Sequence, residues 1–171
     1  MDQEQFHTRA LSAAYVDAFK TLRMQALAEF PEYFLDTVEQ GLKRSTDEWR
    51  AYLVGDNKRI FGLFDRDSLI GIASIFQPDE SQPHIAQFAM GYIAPKYRGK
   101  GLSTLLYKAR IDWAMNETDY TTLKISHRKG NAASQKAVLK NGFTYIEDRK
   151  ENFGDGCVDW SCKYERVIER D

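Results

Sequence analysis

A long apolar strand that leads through a glycine-rich turn directly into a helix is the feature that most restricts the fold of this chain. Residues 84–94 are apolar on both faces of the expected strand, which predicts a central position in a sheet. A tight basic turn at residues 95–101 opens a helix over residues 102–116, and residues 121–127 form the next strand. Because a strand–helix–strand unit joins parallel neighbours through a right-handed crossover, the sheet must contain a parallel pair.

The remaining segments predict antiparallel strands and flanking helices. Residues 59–64 and 69–76 alternate as a hairpin, and residues 143–152 and 157–167 form a second hairpin that closes the chain. The other expected elements are a short strand over residues 5–11, helices opening at Ser12, Phe34 and Thr46, and a helix over residues 131–140. In the helix over residues 102–116, the stripe expected to face the sheet consists of Leu105, Leu106, Ala109 and Trp113. The fold class is therefore a mixed α/β sheet in one domain spanning residues 1–171.

The charge balance restricts the partners. The chain has 24 Lys and Arg residues against 25 Asp and Glu residues, a formal net charge of -1. This balance predicts no general attraction to nucleic acid or to an anionic membrane, so any anion site must be local. Cys157 and Cys162 are an odd number of residues apart in one expected strand, which points them to opposite faces as two reduced thiols. With no apparent signal peptide, we expect a cytoplasmic protein.

The glycine turn has the composition of a phosphate-binding site. Gly99 and Gly101 flank Lys100, and glycine permits backbone conformations and close approaches that a Cβ would block. Free amides at the start of the following helix, together with the helix dipole, favour an anion there. Lys96 and Arg98 add positive charge. The pattern completes neither a Walker motif nor a three-glycine dinucleotide fingerprint, and a solvated basic turn is the alternative.

The turn also resembles a known signature. Residues 97–102, Tyr-Arg-Gly-Lys-Gly-Leu, preceded by Ile-Ala-Pro, are similar to the acetyl-CoA motif of the GNAT superfamily of N-acetyltransferases, with Lys96 where that motif usually has Gln or Arg. Further likeness lies in the front helices around residues 22–34, in an N-x-x-S…K-x-G-F pattern over residues 131–143, and in residues 155–159. The resemblance thus covers nearly the whole chain.

This resemblance implies a fold, a co-substrate and a reaction. The sheet would be GNAT-like and mostly antiparallel, with its parallel pair splayed apart around the pantetheine of acetyl-CoA, and the acceptor would be a primary amine that attacks the thioester directly. The implied cofactor-binding residues are Ile93, Lys96, Tyr97, Arg98, Gly99, Lys100, Gly101, Leu102, Ser103, Asn131 and Ser134. Asn131 also suits a helix N-cap. The acceptor would enter between the front helices and the closing hairpin.

Acetyl transfer to an amine predicts a general base, because an alkylammonium with a pKa of ~10.4 is almost fully protonated at neutral pH. The candidate catalytic residues are His84 and Gln87 on the central strand and His127 on the next one. The alternative for His84 is a residue at the edge of a loop bonded to backbone or water, and the alternative for His127 is a polar residue beside the turn at residues 128–130. The family's frequent tyrosine acid corresponds here to Val138, which cannot donate a proton.

Two further interpretations concern the acceptor side. Gly91 interrupts a bulky strand and predicts a bulge, whose amides from Gly91 to Ile93 can stabilise an oxyanion, unless the glycine only makes room for a packed side chain. The acidic residues of the front helices either attract a cationic amine or form a solvated face; they are Glu29, Glu32, Asp36 and Glu39. No metal site is expected. The alternatives to an enzyme are an acyl-CoA sensor and a nucleic-acid binder, and the edge at the closing hairpin can support a homodimer.

Overall fold

The structure, a computed structural model, describes residues 5–170; residues 1–4 and 171 of the predicted domain lie outside it. Within the described residues the chain forms seven strands and five α-helices. In order they are β1 (Phe6–Ala10), α1 (Val16–Glu29), α2 (Val38–Lys43), α3 (Thr46–Ala51), β2 (Arg59–Asp65), β3 (Ser68–Phe76), β4 (Ile85–Ile93), α4 (Ser103–Glu117), β5 (Thr122–Arg128), α5 (Ala132–Lys140), β6 (Thr144–Asn152) and β7 (Val158–Val167). Short 3₁₀ turns precede α1 and follow β4.

The strands form one sheet in the order β1-β2-β3-β4-β5-β7-β6. Among the strands that the structure describes, only β4 and β5 are parallel neighbours, and every other pair is antiparallel. The mixed sheet, its parallel pair and the central position of β4 are therefore confirmed. Among residues 5–170, no helix is both long and apolar enough to cross a bilayer.

Helices cover the two faces of the sheet unequally. The front helices, α1 and α3, bury Phe19 and Trp49 against one face of β2–β4. On the opposite face, α4 and α5 bury Leu106 and Val138 in a core that includes Phe88 and reaches as far as β7. Each large apolar side chain buried in this way contributes about 1.5–3 kcal/mol to folding. The front helices leave β5, β7 and β6 without an apolar core on their side.

Three local expectations need correction. The second helix begins at Val38 rather than Phe34, because the Thr37 hydroxyl caps it by accepting from the Gln40 amide at 3.1 Å. The Ser12 side chain makes no cap bond, since a 3₁₀ turn intervenes before α1. The fully buried face of α4 contains Leu106, Tyr107, Arg110, Ile111 and Ala114, whereas Leu105, Ala109 and Trp113 are only partly buried at its border.

Candidate active site

The parallel strands β4 and β5 pair only at their beginnings. Residues Ile85–Gln87 lie opposite Thr122–Lys124, after which β4 continues beside β3 and β5 continues beside β7. The two strands therefore diverge and leave a V-shaped gap between residues 88–93 and 125–128. We call this gap the cleft; its closed end lies at Ile85 and its open end at the carboxyl ends of both strands.

A β-bulge lies on the β4 side of the cleft. Ile72 of β3 faces Tyr92 and Ser74 faces Ala89, so β4 contains one extra residue at Met90–Gly91. Met90 has a positive φ of 58°. The bulge predicted from Gly91 is thus confirmed. The alternative, that Gly91 makes room for a packed side chain, is wrong, because a Cβ on Gly91 would meet no atom within 4 Å.

The glycine turn presents a series of free amides at the open end. Gly99 and Gly101 have φ values of +76° and +73°, which L-residues rarely adopt, and α4 begins at Ser103. Within the part of the chain that the structure describes, the amides of residues 99–103 donate to no protein acceptor, whereas the Arg98 amide donates to the Pro95 carbonyl at 3.2 Å. Successive free amides at a helix start form an anion-binding nest.

The basic side chains of the turn divide into two groups. The Lys96 and Lys100 ammonium groups lie 5.3 Å and 5.7 Å from the centre of the Tyr97 ring. The Tyr97 hydroxyl donates to Asp65 at 2.9 Å and so anchors the turn to the end of β2. Arg98 points away from these lysines, toward α1. Two of the three cations of the turn therefore lie beside Tyr97, and the third is held by α1.

Arg98 forms a bidentate salt bridge with Glu29, the last residue of α1. The two guanidinium–carboxylate distances are 2.6 Å and 3.1 Å. The hydrogen bond from Arg98 is the largest influence on Glu29 and lowers the pKa of its carboxyl group, and the same bond raises the pKa of Arg98. Glu29 also accepts a hydrogen bond from the Tyr92 hydroxyl. The sequence predicts this carboxylate only as one member of an acidic cluster.

On the β5 side of the cleft, Asn131 caps α5. Its side-chain oxygen accepts from the Ser134 amide at 3.2 Å, so the N-cap interpretation is confirmed. Ser134 is half-buried on the same helical face, and Val138 is fully buried. An oxygen engaged in capping leaves the amide nitrogen of Asn131 available to donate toward a ligand.

His84 and Gln87 lie toward the closed end of the cleft. The His84 ring nitrogen Nδ1 is 3.3 Å from the Asp119 carbonyl, and the His84 carbonyl accepts from the Thr121 amide at 2.8 Å. At ~3.3 Å per residue, His84 is about 20 Å along the strand from Met90. The Gln87 side chain donates to the Phe88 carbonyl at 3.1 Å. These positions argue against His84 as the base and agree with its structural alternative.

His127 lies farther along β5 but is enclosed. It is only 8% exposed. Its Nδ1 lies 2.8 Å from the Arg128 carbonyl, which can only accept, and its Nε2 lies 2.8 Å from the Tyr164 hydroxyl, from which a neutral ring accepts. Both ring nitrogens are therefore engaged, which also argues against a catalytic role.

The front loop, residues 30–37, and the closing hairpin are in direct contact. The Gly154 amide donates to the Phe34 carbonyl at 2.7 Å. Arg128 donates to the Glu32 carbonyl at 3.0 Å and to Asp155 and Asp159 at 2.6 Å and 2.8 Å. Hydrogen bonds from Arg128 lower the pKa of both aspartates. The front loop and the closing hairpin, between which the acceptor is expected to enter, are thus in contact at this point.

The acidic residues of the front helices do not form one site. Arg44 binds Asp36 with two contacts of 2.8 Å, Lys43 pairs with Glu39 at 3.2 Å, and Arg98 holds Glu29. Among the aromatic residues nearby, the ring centres of Phe30 and Tyr33 lie 5.2 Å apart with the rings tilted. The interpretation as an attractant for cations is weakened, since basic neighbours neutralise three of the four carboxylates.

The structure contains a polar sheet face beside the cleft, which the expectations from the sequence do not include. Alternate residues of β5 and β7 point to the side of the front helices; they are Lys124, Ser126, Arg128, Ser161, Lys163 and Glu165. Lys124 lies 3.6 Å from Glu165, and Lys163 pairs with Glu151 of β6. The sequence does contain a signal for this face, because β5 alternates polar residues with Leu123, Ile125 and His127.

Both a family model and solved structures match this chain. A family model described as "Acetyltransferase (GNAT) domain" matches residues 6–144. No curated protein matches the sequence significantly. Among solved structures, the chain is similar to the ribosomal L7/L12 α-N-protein acetyltransferase RimL in complex with coenzyme A, at 20% identity and a TM-score of 0.79, covering 99% of this chain and 97% of that one.

Two further structures are similar at lower or comparable identity. The ribosomal-protein-S5-alanine acetyltransferase from Vibrio fischeri has 14% identity, a TM-score of 0.81 and coverage of 98% and 95% of the two chains. The spermidine N-acetyltransferase from Vibrio cholerae, in complex with CoA and spermine, has 19% identity, a TM-score of 0.77 and coverage of 96% of each chain. The splayed pair, the nest of amides and the matching family model together show that this chain belongs to the GNAT family of acetyltransferases, enzymes whose co-substrate is acetyl-CoA.

Proposed function

We propose that this chain transfers the acetyl group of acetyl-CoA to a primary amine, which attacks the thioester directly in a ternary complex. The observation that carries the proposal is the row of free amides at residues 99–103, placed at the open end of the cleft. Because a thioester is already activated, the protein has only to orient the two substrates and stabilise the developing oxyanion.

The residues that would hold acetyl-CoA follow from their positions. The amides of residues 99–103 face an anion such as the pyrophosphate, with Lys96 and Lys100 beside them and Tyr97 fixing the turn. The cleft next to Ile93 accommodates the pantetheine, and Asn131 with Ser134 contacts it from α5. In this proposal Arg98 contributes its place in the turn, while its side chain binds Glu29.

The oxyanion would be stabilised by backbone amides at the bulge. Residues 91–93 follow Met90, where β4 departs from regular pairing with β3 beside the cleft. A preorganised amide aimed at a developing charge lowers the barrier without reorganisation during the reaction. The bulge supports this assignment because it redirects the backbone at the open end.

We further propose that the amine loses its proton to water. Glu29 is held by Arg98 and Tyr92, both nitrogens of His127 are bonded, and His84 lies toward the closed end. Under this proposal an acceptor with a low pKa reacts best. An α-amine, with a pKa of about 7.7–8.0, is neutral at pH 7 more than a hundred times as often as a lysine side chain of pKa ~10.4.

A matched pair of acceptors tests both proposals. Nε-acetyl-lysine amide presents an α-amine and its isomer Nα-acetyl-lysine amide presents a side-chain amine, so they differ only in which nitrogen is free. We expect release of free coenzyme A thiol with the α-amine at pH 7 and about a hundredfold less with its isomer. Equal rates would show that a side chain removes the proton. Saturable acetyl-CoA binding without thiol release for any amine would favour the acyl-CoA sensor.

We propose a cytoplasmic, single-domain enzyme that does not bind nucleic acid and can form a homodimer. The free thiols of Cys157 and Cys162 support a reducing compartment. The edge strand β6 supports self-association, since Tyr145 and Ile146 are exposed on it. Light scattering on the purified protein tests the dimer, and titration with duplex DNA at low salt tests nucleic-acid binding.

A further inference from the structure

The side chain of Arg98 connects three elements around the cleft. Its Nε donates to the Ile93 carbonyl at the end of β4, at 2.8 Å, and its two terminal nitrogens bind Glu29 at the end of α1. Arg98 itself immediately precedes Gly99, the first residue of the amide nest. All three guanidinium nitrogens are thus engaged with protein groups on the side away from the lysines of the turn.

The groups around this salt bridge fix its geometry further. The guanidinium of Arg98 lies 4.9 Å from the Phe30 ring centre and 5.2 Å from that of Tyr92. The Tyr92 hydroxyl donates to Glu29 and accepts from Gln25 of α1 at 3.1 Å. Of the residues around the Arg98 guanidinium, Glu29 ends α1, Phe30 directly follows it, and Tyr92 lies beside the bulge.

The bridge also reaches the acceptor side. Phe30 begins the front loop, which contacts the closing hairpin through the Phe34 carbonyl. The bridge is only about one-third exposed, with 35% of the Arg98 and 28% of the Glu29 side chain accessible. A bidentate, charge-assisted pair with partial burial has a defined geometry, which a flexible exposed pair lacks.

We propose that Arg98 and Glu29 are positioning residues, which hold the front loop at a fixed distance from the acetyl group, and that the Arg98 side chain is not a phosphate ligand. This inference rests on the proposed function. Loss of the bridge leaves the amides of residues 99–103 and the two lysines in place, so acetyl-CoA still binds. It releases the front loop, so the acceptor is held less well.

The experiment compares Glu29→Gln with Asp47→Asn, an equivalent change to a carboxylate in α3. The Asp47 side chain is 92% exposed and, among the residues the structure describes, pairs only with Arg50. In Glu29→Gln we expect the KM for the acceptor and the hydrogen-exchange rate over residues 30–37 each to rise about tenfold. The Kd of acetyl-CoA, measured by calorimetry, should stay within about twofold. In Asp47→Asn all three should remain at wild-type values.

Arg98→Met and the double variant, which combines it with Glu29→Gln, complete a double-mutant cycle. Because the two side chains act as one unit, the double variant should exchange residues 30–37 no faster than the more affected single variant, and additive effects would contradict the inference. Arg98→Lys, which keeps the charge without the fork, should lie between wild type and Arg98→Met. An acetyl-CoA Kd that rises as much as the acceptor KM, or unchanged exchange over residues 30–37, would overturn it. If wild type acetylates no amine, the proposed function fails, while exchange and calorimetry still decide on the bridge.

Discussion

The two ends of β4 belong to one strand yet differ in what their backbone can offer. At the closed end, Ile85–Gln87 pair with β5, and Gln87 also pairs with Phe76 of β3. At the open end the pairing with β5 has ceased, Met90 adopts a positive φ, and the amides of residues 99–103 donate to no acceptor in the described part of the chain. The backbone groups that can bind a ligand therefore lie where regular pairing stops. In this fold, that place is the carboxyl ends of β4 and β5.

Substitution at the open end should have the largest effect. In Gly101→Val a β-branched side chain would occupy a φ of +73°, which costs about 1–2 kcal/mol, and the strained turn would misdirect the amides. We expect the Kd of acetyl-CoA to rise more than about tenfold, measured by calorimetry. Gly91→Ala is the control for folding, because it has open space and should keep the same free energy of unfolding. Tight acetyl-CoA binding by Gly101→Val would contradict the conclusion that the open end supplies the binding groups.

A smaller effect is expected from the lysines of the turn. Lys100→Met removes a cation that lies near the amide nest but pairs with no carboxylate among the described residues, so acetyl-CoA should bind about three- to fivefold more weakly. The loss should diminish as salt is raised, since the contribution is screened. Lys43→Met, in α2, should change nothing. A salt-independent loss would instead indicate a damaged turn.

A still smaller effect is expected on how the activity of Glu29→Gln depends on pH. The pKa of Glu29 lies below its ordinary value of 4.5, so the carboxylate stays ionised from about pH 5 to pH 9. Its contribution to stability is present above pH 4.5 and is lost as the pH falls through its lowered pKa. In that window, kcat/KM of Glu29→Gln should be reduced by one constant factor. A ratio that changes between pH 5 and pH 9 would show that Glu29 exchanges a proton during turnover.

The smallest effect is expected at the closed end. His84→Ala should change kcat and its pH profile by less than about twofold, because the imidazole lies about 20 Å along the strand from the bulge. His84→Gln, which keeps a hydrogen-bonding side chain, is the matched control. A large loss of kcat in His84→Ala, together with disappearance of the fall in wild-type activity toward low pH, would restore His84 as the base and contradict the comparison.

Much of the architecture can be predicted because its signals are local. The strand–turn–helix unit and the closing hairpin follow from alternation and glycine placement, and the predicted bounds differ from β7 by one residue. The nest of amides also follows from Gly99 and Gly101. The direction of Arg98 does not, because its partner Glu29 is 69 residues away along the chain and the two meet only after α1 packs on the sheet.

The order of the strands predicts that His84 lies at the closed end of the cleft, away from the glycine turn. Parallel strands that diverge open at their carboxyl ends, and ligands of such sheets bind there. His84 starts its strand, so it has to lie at the other end. The polar alternation of Lys124, Ser126 and Arg128 likewise indicates a polar sheet face from sequence alone. The engagement of both nitrogens of His127 depends on Tyr164 of a later strand and is beyond local reasoning.

The contact at Gly154 bears on how the acceptor range of this enzyme can be altered. A Cβ there would lie 2.8 Å from the Asp36 carbonyl and 2.9 Å from the Phe34 carbonyl, both main-chain atoms that cannot rotate aside. Side-chain exchange elsewhere on the hairpin leaves this spacing intact, whereas any replacement of Gly154 must push the hairpin and front loop apart. Under the proposed function, in which the acceptor binds beside the front loop, we expect replacement of Gly154 in a directed-evolution library to admit bulkier amines, with stability as the property to restore afterwards.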